Sequence, residues 1–172
     1  MPQLVALSVS IAVLGGIWAW VCLGIPSLGL IVWAGFIAWG CYFHTGGDNK
    51  ALIKTICGNV YGVIIAWIAL LIVANVPIAA LGALWPAIVI GATVFLLVIV
   101  ASIEQLSVVP ANVYGYAATA AYGVSGGGIA NVTAANMTNP LIGVGVSMVI
   151  GAVLGMVSGR LAGMLTKKAA TA

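Results

Sequence analysis

The sequence predicts an all-α polytopic membrane protein with six transmembrane helices arranged as a 3+3 inverted repeat. Of its 172 residues, 64% are hydrophobic and only 4% are charged, and the second half of the chain repeats features of the first. A soluble globular domain, which carries roughly 25% charged residues, is therefore excluded. The formal net charge of +3 comes from a few residues and not from a basic surface, so no nucleic-acid partner is expected.

Charged residues divide the chain into three long apolar runs. No Asp, Glu, Lys or Arg lies between Met1 and Gly47, between Thr55 and Ile103, or between Gln105 and Gly159. Each run far exceeds the roughly 20 apolar residues that cross a bilayer, so each holds at least two crossings. Turn residues break the runs at Ile25-Pro26-Ser27, at Asn75-Val76-Pro77 and from Ser125 to Pro140. We predict a single domain, residues 1–172, with helices near 3–24, 28–44, 57–74, 78–102, 106–124 and 141–165.

The basic residues predict the orientation of these helices. Lys50 and Lys54 follow the second helix, and Lys167 and Lys168 follow the sixth. An even number of crossings places both pairs on the side of Met1, and the positive-inside rule makes that side cytoplasmic. Because the first basic residue is Lys50, the first segment lacks the basic region of a signal peptide and is expected to be retained.

An offset of 80 residues aligns the two halves of the chain, pairing Gly35 with Gly115 and Tyr42 with Tyr122. The further pairs are Gly46-Gly47 with Gly126-Gly127 and Asn59 with Asn139. Since each half holds three crossings, the copies must insert with opposite orientation, a plan typical of proteins with a solute path near the pseudo-two-fold axis. The repeats are expected at about 1–75 and 78–166. A chance match among abundant glycines and alanines is the alternative.

The connections after helices 2 and 5 are rich in glycine. Gly46-Gly47 precedes residues 50–57, and Gly126-Gly127-Gly128 precedes residues 129–137. Glycines before a helix leave its first N–H groups free to face a ligand. Each connection therefore holds either a short half-helix or a surface loop with glycine turns.

Small residues recur every four positions along helix 6. They are Gly143, Ser147, Gly151, Gly155, Gly159 and Gly163. Such a stripe lets a second helix approach closely. We predict that Gly151, Gly155 and Gly159 face a helix of the same protomer or of a neighbour in a homo-oligomer.

Polar side chains inside the predicted helices are the candidates for a pore or solute site, because placing them in a membrane is costly. They are Asn59, Asn112, Asn139, Tyr116, Thr119, Tyr122 and His44. Helix capping explains Asn59 and Asn139 equally well. His44 is either an interfacial residue without a special role or a group that gates by protonation.

Residues for catalysis or metal binding are sparse. The carboxylates Asp48 and Glu104 lie in different connections, His44 is the one histidine, and the three cysteines lack metal spacing. We therefore expect neither an enzyme nor a protein with a metal or other cofactor.

Aromatic and glycine-rich motifs in the first two helices carry a family resemblance. They are Gly16-Ile17-Trp18-Ala19-Trp20-Val21 and Trp33-Ala34-Gly35-Phe36, running on to Tyr42-Phe43 and Gly46-Gly47, with Leu106-Ser107-Val108-Val109-Pro110 further along. The chain resembles the domain-of-unknown-function 1097 family of small bacterial inner-membrane proteins, mainly over residues 10–65. The resemblance implies a bacterial inner membrane and no particular activity.

These features predict a channel or facilitator for a small neutral or weakly charged solute, in contact with the lipid bilayer. An ion-coupled transporter is the second hypothesis, although Asp48, Glu104 and His44 all fall at the predicted cytoplasmic boundary. A non-transporting structural or accessory subunit is the third, and it requires no continuous polar path. The segment from Ser125 to Asn131 is similar to the approach to the half-helices of aquaporin-type channels in architecture alone, since the Asn-Pro-Ala signature of those channels is absent.

Overall fold

The computed structural model describes residues 1–125 and 128–166, and this part of the chain forms six α-helices. They are α1 (Gln3–Gly24), α2 (Val32–His44), α3 (Asn49–Asn75), α4 (Leu84–Ile99), α5 (Val109–Ser125) and α6 (Pro140–Leu165). The predicted all-α class is confirmed. Gly126, Gly127, Lys167 and Lys168, which entered the repeat and orientation predictions, lie outside the described residues.

Among the described residues, four helices are long and apolar enough to cross a membrane. They are Gln3–Gly24, Asn49–Asn75, Leu84–Ser102, which extends α4 by a 3-10 turn, and Pro140–Leu165. The other two are shorter, with 13 residues in α2 and 17 in α5. Length and composition therefore single out four of the six predicted crossings.

The connection between α2 and α3 contains no separate half-helix. Gly46 and Gly47 adopt positive φ angles of 126° and 71°, which end α2 at no steric cost to a side chain. Asp48 then caps α3, because its carboxylate accepts a hydrogen bond from the Ala51 amide at 2.6 Å. Of the two alternatives for this connection, the half-helix over residues 50–57 is wrong, since these residues are the first turns of α3 itself.

The described part of the connection before α6 is a 3-10 turn, Gly128–Asn131, followed by irregular turns. The Asn139 side chain donates to the carbonyl oxygens of Val132 at 3.0 Å and Ala134 at 2.8 Å. These bonds hold residues 132–139 in a turn conformation. Of the two alternatives for this connection, the short helix over 129–137 is therefore wrong, and the described residues form one turn and a loop.

The helices form an inner group of four and an outer pair. α2, α3, α5 and α6 surround a core of small and medium apolar side chains, while α1 packs against α6 and α4 against α3. Val63, Val144, Met148 and Ala152 are 0–1% exposed. The centre of the protomer is therefore closely packed.

The helices of the two halves of the chain pack in equivalent pairs. The inner contacts of α2 with α6 and of α5 with α3 are matched by the outer contacts of α1 with α6 and of α4 with α3. Exchanging α1 with α4, α2 with α5 and α3 with α6 leaves the set of these pairs unchanged. Gly35 and Gly115 occupy matching places, since each lies where its helix touches the backbone of the opposite long helix.

The paired asparagines do not occupy matching places. Asn59 lies well inside α3, whereas Asn139 precedes α6 and caps it. The predicted pairing of Asn59 with Asn139 is wrong because α3 begins eight residues earlier than the predicted 57, which shifts its alignment with α6.

Helix α6 presents its glycine stripe to α2 of the same protomer. A Cβ atom on Gly151 would collide with the carbonyl oxygen of Gly35. One on Gly155 would lie 2.9 Å from Cδ1 of Tyr42, and one on Gly159 would lie 3.6 Å from Cε1 of Phe43. The gap between α6 and α2 therefore decreases from Gly159 towards Gly151.

Replacing Gly155 by Leu should destabilise the protein by about 1–3 kcal/mol, because the added side chain must displace Tyr42 from its packed position. The matched control is Gly163→Leu on the same helix, where a Cβ has no atom within 4 Å. The thermal unfolding midpoint in detergent should fall for the first variant and not for the second. Equal midpoints would contradict the packing at Gly155.

The charged groups of the described residues lie at one end of the helical bundle. The Met1 ammonium donates to the Leu165 carbonyl at 3.4 Å, and Lys54 donates to Ser107 at 3.2 Å. Arg160 donates to Asn49 at 3.1 Å. The beginning of the chain, the end of α6 and the connections that hold Asp48 and Glu104 therefore meet on one side.

Candidate functional site

The side chain of Asn59 is the least satisfied polar group in the inner bundle. It is 1% exposed, and neither its amide nitrogen nor its oxygen has a hydrogen-bond partner among the described residues. Burying an unpaired amide costs several kcal/mol where no water can reach it. An orphaned group of this kind calls for an explanation beyond packing.

A close crossing of α3 and α5 holds Asn59 in place. A Cβ on Gly115 would collide with the Asn59 carbonyl oxygen, and one on Gly62 would collide with the carbonyl oxygen of Asn112. Glycine at both positions lets the two backbones touch. The crossing therefore fixes the position of the Asn59 backbone.

Small polar side chains lead from Asn59 towards the end of α2. Thr55 lies one turn before Asn59 on α3, is 0% exposed, and its hydroxyl lies 3.3 Å from that of Thr45. The Thr45 hydroxyl in turn lies 3.9 Å from the Cys41 sulfur. We call Cys41, Thr45, Thr55 and Asn59 the polar file.

A groove of about 550 Å³ opens beside the polar file, between α2 and α5. Cys41 belongs both to the groove and to the file. His44 and Tyr114 line the same groove, with their rings 6.1 Å apart in an edge-to-face arrangement. The exposed His44 therefore stands at an opening from which the polar file leads inwards.

Two of the predicted site residues, Asn112 and Tyr116, hold helices together, and a third, Thr119, bonds within its own helix. Asn112 donates to the carbonyl oxygens of Leu97 at 3.3 Å and Leu106 at 3.1 Å, which ties α5 to the end of α4. The Tyr116 hydroxyl lies 2.9 Å from the Thr93 hydroxyl of α4. Thr119 donates to the Gly115 carbonyl of its own helix at 3.0 Å.

The structure separates Asn139 and Tyr122 from the polar file. Asn139 lies at the opposite end of the bundle from His44, and besides its two donated bonds it accepts one from the Leu141 amide at 2.9 Å. Helix capping thus accounts for Asn139. Tyr122 packs against Gly128 in the next connection.

Sequence reasoning did not select Thr45, Thr55 or Cys41. Thr55 and Asn59 lie four residues apart, a spacing that puts both side chains on one face of a helix, so part of the file was detectable. The contacts of Thr45 and Cys41 depend on how α2 ends against α3. Within the part of the chain that the structure describes, no three His, Cys, Asp or Glu side chains gather into a metal site.

Residues 8–163 match the profile of a protein family described as "Protein of unknown function (DUF1097)". The chain belongs to the DUF1097 family. The match to DUF1097 runs from α1 into α6 and so extends well beyond the first two helices, where the sequence motifs are concentrated.

A relative of this DUF1097 protein is the inner membrane protein YcdZ of Salmonella typhimurium (strain LT2). The two are 34% identical over 120 residues, which cover 69% of this chain and 71% of the relative. No solved structure matches the chain.

Proposed function

We propose that this DUF1097 protein is an inner-membrane channel or facilitator for a small neutral or weakly charged solute that forms hydrogen bonds. The observation that carries the proposal is the buried amide of Asn59, whose donor and acceptor both lack partners among the described residues. A passing solute with its own donor and acceptor would satisfy both groups. The polar file offers such a solute a series of hydroxyl and amide groups between the α2–α5 groove and Asn59.

We propose that the described conformation is the closed state of the channel. Val63, Val144 and Met148 fill the centre, so a solute that enters from the groove needs a relative movement of the inner helices. The groove between α2 and α5 is the natural place for that movement, because it already separates the two helices. The proposed axis of the inverted repeat passes between these helices.

A 3+3 inverted repeat with six crossings is part of the proposal. The interchangeable packing of the two halves supports it, as do the matching positions of Gly35 and Gly115. In this arrangement α2 and α5 cross the membrane packed against the longer helices α6 and α3. Their modest length is then tolerated, because protein and not lipid covers most of their backbone.

We propose that both ends of the chain face the cytoplasm. The described basic groups Lys50, Lys54 and Arg160 share one end with Met1, and basic residues favour the cytoplasmic side. A reporter active only in the cytoplasm should therefore be active when fused to either end. A fusion active at one end and silent at the other would contradict the even number of crossings.

Solute flux tests the proposed activity directly. The purified protein would be reconstituted in vesicles of phosphatidylethanolamine and phosphatidylglycerol, and the vesicle volume followed by light scattering after an osmotic step with urea, glycerol or formamide. We expect at least one of these solutes to enter about tenfold faster than in protein-free vesicles, equivalent to a barrier lower by about 1.4 kcal/mol. Choline, a permanent cation, is the control and should not enter faster.

The close-packed centre is the observation that favours a second candidate, a structural or accessory membrane subunit. That role requires no movement of the inner helices and no solute path. Vesicles in which none of the three neutral solutes enters faster than in the protein-free control would reject the channel proposal and leave the accessory role. We do not propose an ion-coupled transporter, because the charged side chains of the described residues lie at one end of the bundle and none of them belongs to the polar file.

A further inference from the structure

A cleft of about 800 Å³ opens at the Met1 end, and none of the residues that line it belongs to the polar file. It lies between the start of α1, the connection from α2 to α3, and the last turns of α6. Its polar lining consists of Gln3, Tyr42, Asp48, Asn49, Arg160 and Thr166. Two of these side chains carry opposite charges.

The positive group of the cleft has no anionic partner. Arg160 donates one hydrogen bond, at 3.1 Å, to the neutral side-chain oxygen of Asn49. No carboxylate of the described residues forms an ion pair with it. A guanidinium has five N–H donors in a planar fork that matches the oxygens of a phosphate, so most of its donors remain available.

The negative group of the cleft is also only partly used. One carboxylate oxygen of Asp48 accepts the Ala51 amide and caps α3. Within the described ranges, the other oxygen accepts no hydrogen bond, and Asp48 and Arg160 line the cleft without pairing with each other. A ligand with one charge of each sign would complement both groups, whereas a simple anion would be repelled by Asp48.

We propose that this cleft binds a zwitterion that carries a phosphate and a primary ammonium. The phosphate lies on the Arg160 guanidinium and the ammonium on the free oxygen of Asp48. The same chemistry occurs in an aminophospholipid headgroup and in free phosphoethanolamine. Leu7 and Phe43 also line the cleft and give the carbon atoms of the ligand an apolar contact. This binding does not depend on solute flux.

Lipid binding to the purified full chain in detergent tests the proposal. Native mass spectrometry would compare the bound fractions of phosphatidylethanolamine and phosphatidylglycerol with identical acyl chains. The unmodified protein should prefer phosphatidylethanolamine. Asp48→Asn, which keeps an efficient helix cap, should lower that preference about tenfold, the effect of losing about 1.4 kcal/mol of selective binding.

Variants of the cation complete the test. Arg160→Gln should weaken binding of both lipids, and Arg160→Lys, which keeps the charge but loses the planar fork, should weaken it less. Lys54→Gln is the matched control, since Lys54 lies at the same end but outside the cleft, and it should bind like the unmodified protein. Unfolding midpoints of all variants would show that each is folded.

Free phosphoethanolamine separates the two sources of the ligand. If millimolar phosphoethanolamine displaces the lipid, the cleft takes the soluble zwitterion, and if it does not, the cleft takes the headgroup together with its lipid. Either result supports the zwitterion site. Equal binding of the two lipids by the unmodified protein, or a lipid preference unaffected by Asp48→Asn, would overturn it.

Discussion

Replacing Asn59 by Leu is expected to reduce solute flux to the level of protein-free vesicles without destabilising the protein. The amide of Asn59 has no partner among the described residues, so its loss removes a desolvation cost and breaks no hydrogen bond. Exchanging an unpaired buried polar group for an apolar one of similar shape is neutral or stabilising by about 1 kcal/mol. The rate of urea or glycerol entry and the unfolding midpoint would be measured on the same preparation.

The matched control for Asn59→Leu is Thr93→Val on α4. Thr93 is also buried, but its hydroxyl lies 2.9 Å from the Tyr116 hydroxyl and donates to the Val89 carbonyl at 2.8 Å. We expect it to lose about 1 kcal/mol of stability and to keep its flux, because it lies outside the polar file. A drop in stability for Asn59→Leu would assign Asn59 a structural role, and flux equal to that of the unmodified protein would contradict its place in the solute path.

Replacing Gly115 by Ala should be among the most destabilising single-methyl changes in the protein. The new Cβ would fall on the Asn59 carbonyl oxygen and lie 2.8 Å from the Asn59 carbonyl carbon. Backbone atoms cannot rotate away as a side chain can, so α3 and α5 must separate along their crossing. We expect a loss of about 3 kcal/mol, observed as a lower unfolding midpoint in detergent.

Two further alanine variants provide a second test of this prediction and its control. Gly151→Ala should have a similar effect, since its Cβ would fall on the carbonyl oxygen of Gly35 at the matching crossing of α6 and α2. Gly40→Ala is the control, because a Cβ there has no atom within 4 Å and alanine favours the helix by about 1 kcal/mol. If Gly115→Ala and Gly40→Ala unfold at the same temperature, the close crossing of α3 and α5 is not present in solution.

The sequence predicted the helices most accurately where the signals are local. The predicted segments 3–24 and 141–165 correspond to α1 (Gln3–Gly24) and α6 (Pro140–Leu165). Uninterrupted apolar runs and prolines at the boundaries favour a helix whatever other helices surround it. The ends of these two helices therefore follow from the local sequence. Helix α3 begins eight residues before the predicted 57, because Asp48 caps it ahead of the charged residues Lys50 and Lys54.

The repeat was predictable in part. The glycines at 35 and 115 lie on the two helices that cross the opposite half, and that match follows from an aromatic and glycine-rich pattern visible in the chain. The asparagines at 59 and 139 matched by spacing alone, and one is buried inside a helix while the other caps one. Spacing along the chain does not fix the register of two helices whose preceding connections differ in length.

The sequence by itself determined the all-α class, the approximate position of six helices, the family and the gathering of charges near Met1. It also identified Asn59 as one of seven polar candidates. Only the tertiary structure decided that Asn112, Tyr116 and Asn139 are engaged in hydrogen bonds while Asn59 is not, and that Thr45 and Thr55 lie near one another. The physical reason is that a polar side chain is satisfied or orphaned by its neighbours in space. Those neighbours come from the register of α3 against α5 and of α2 against α3, which close backbone packing sets and local sequence does not.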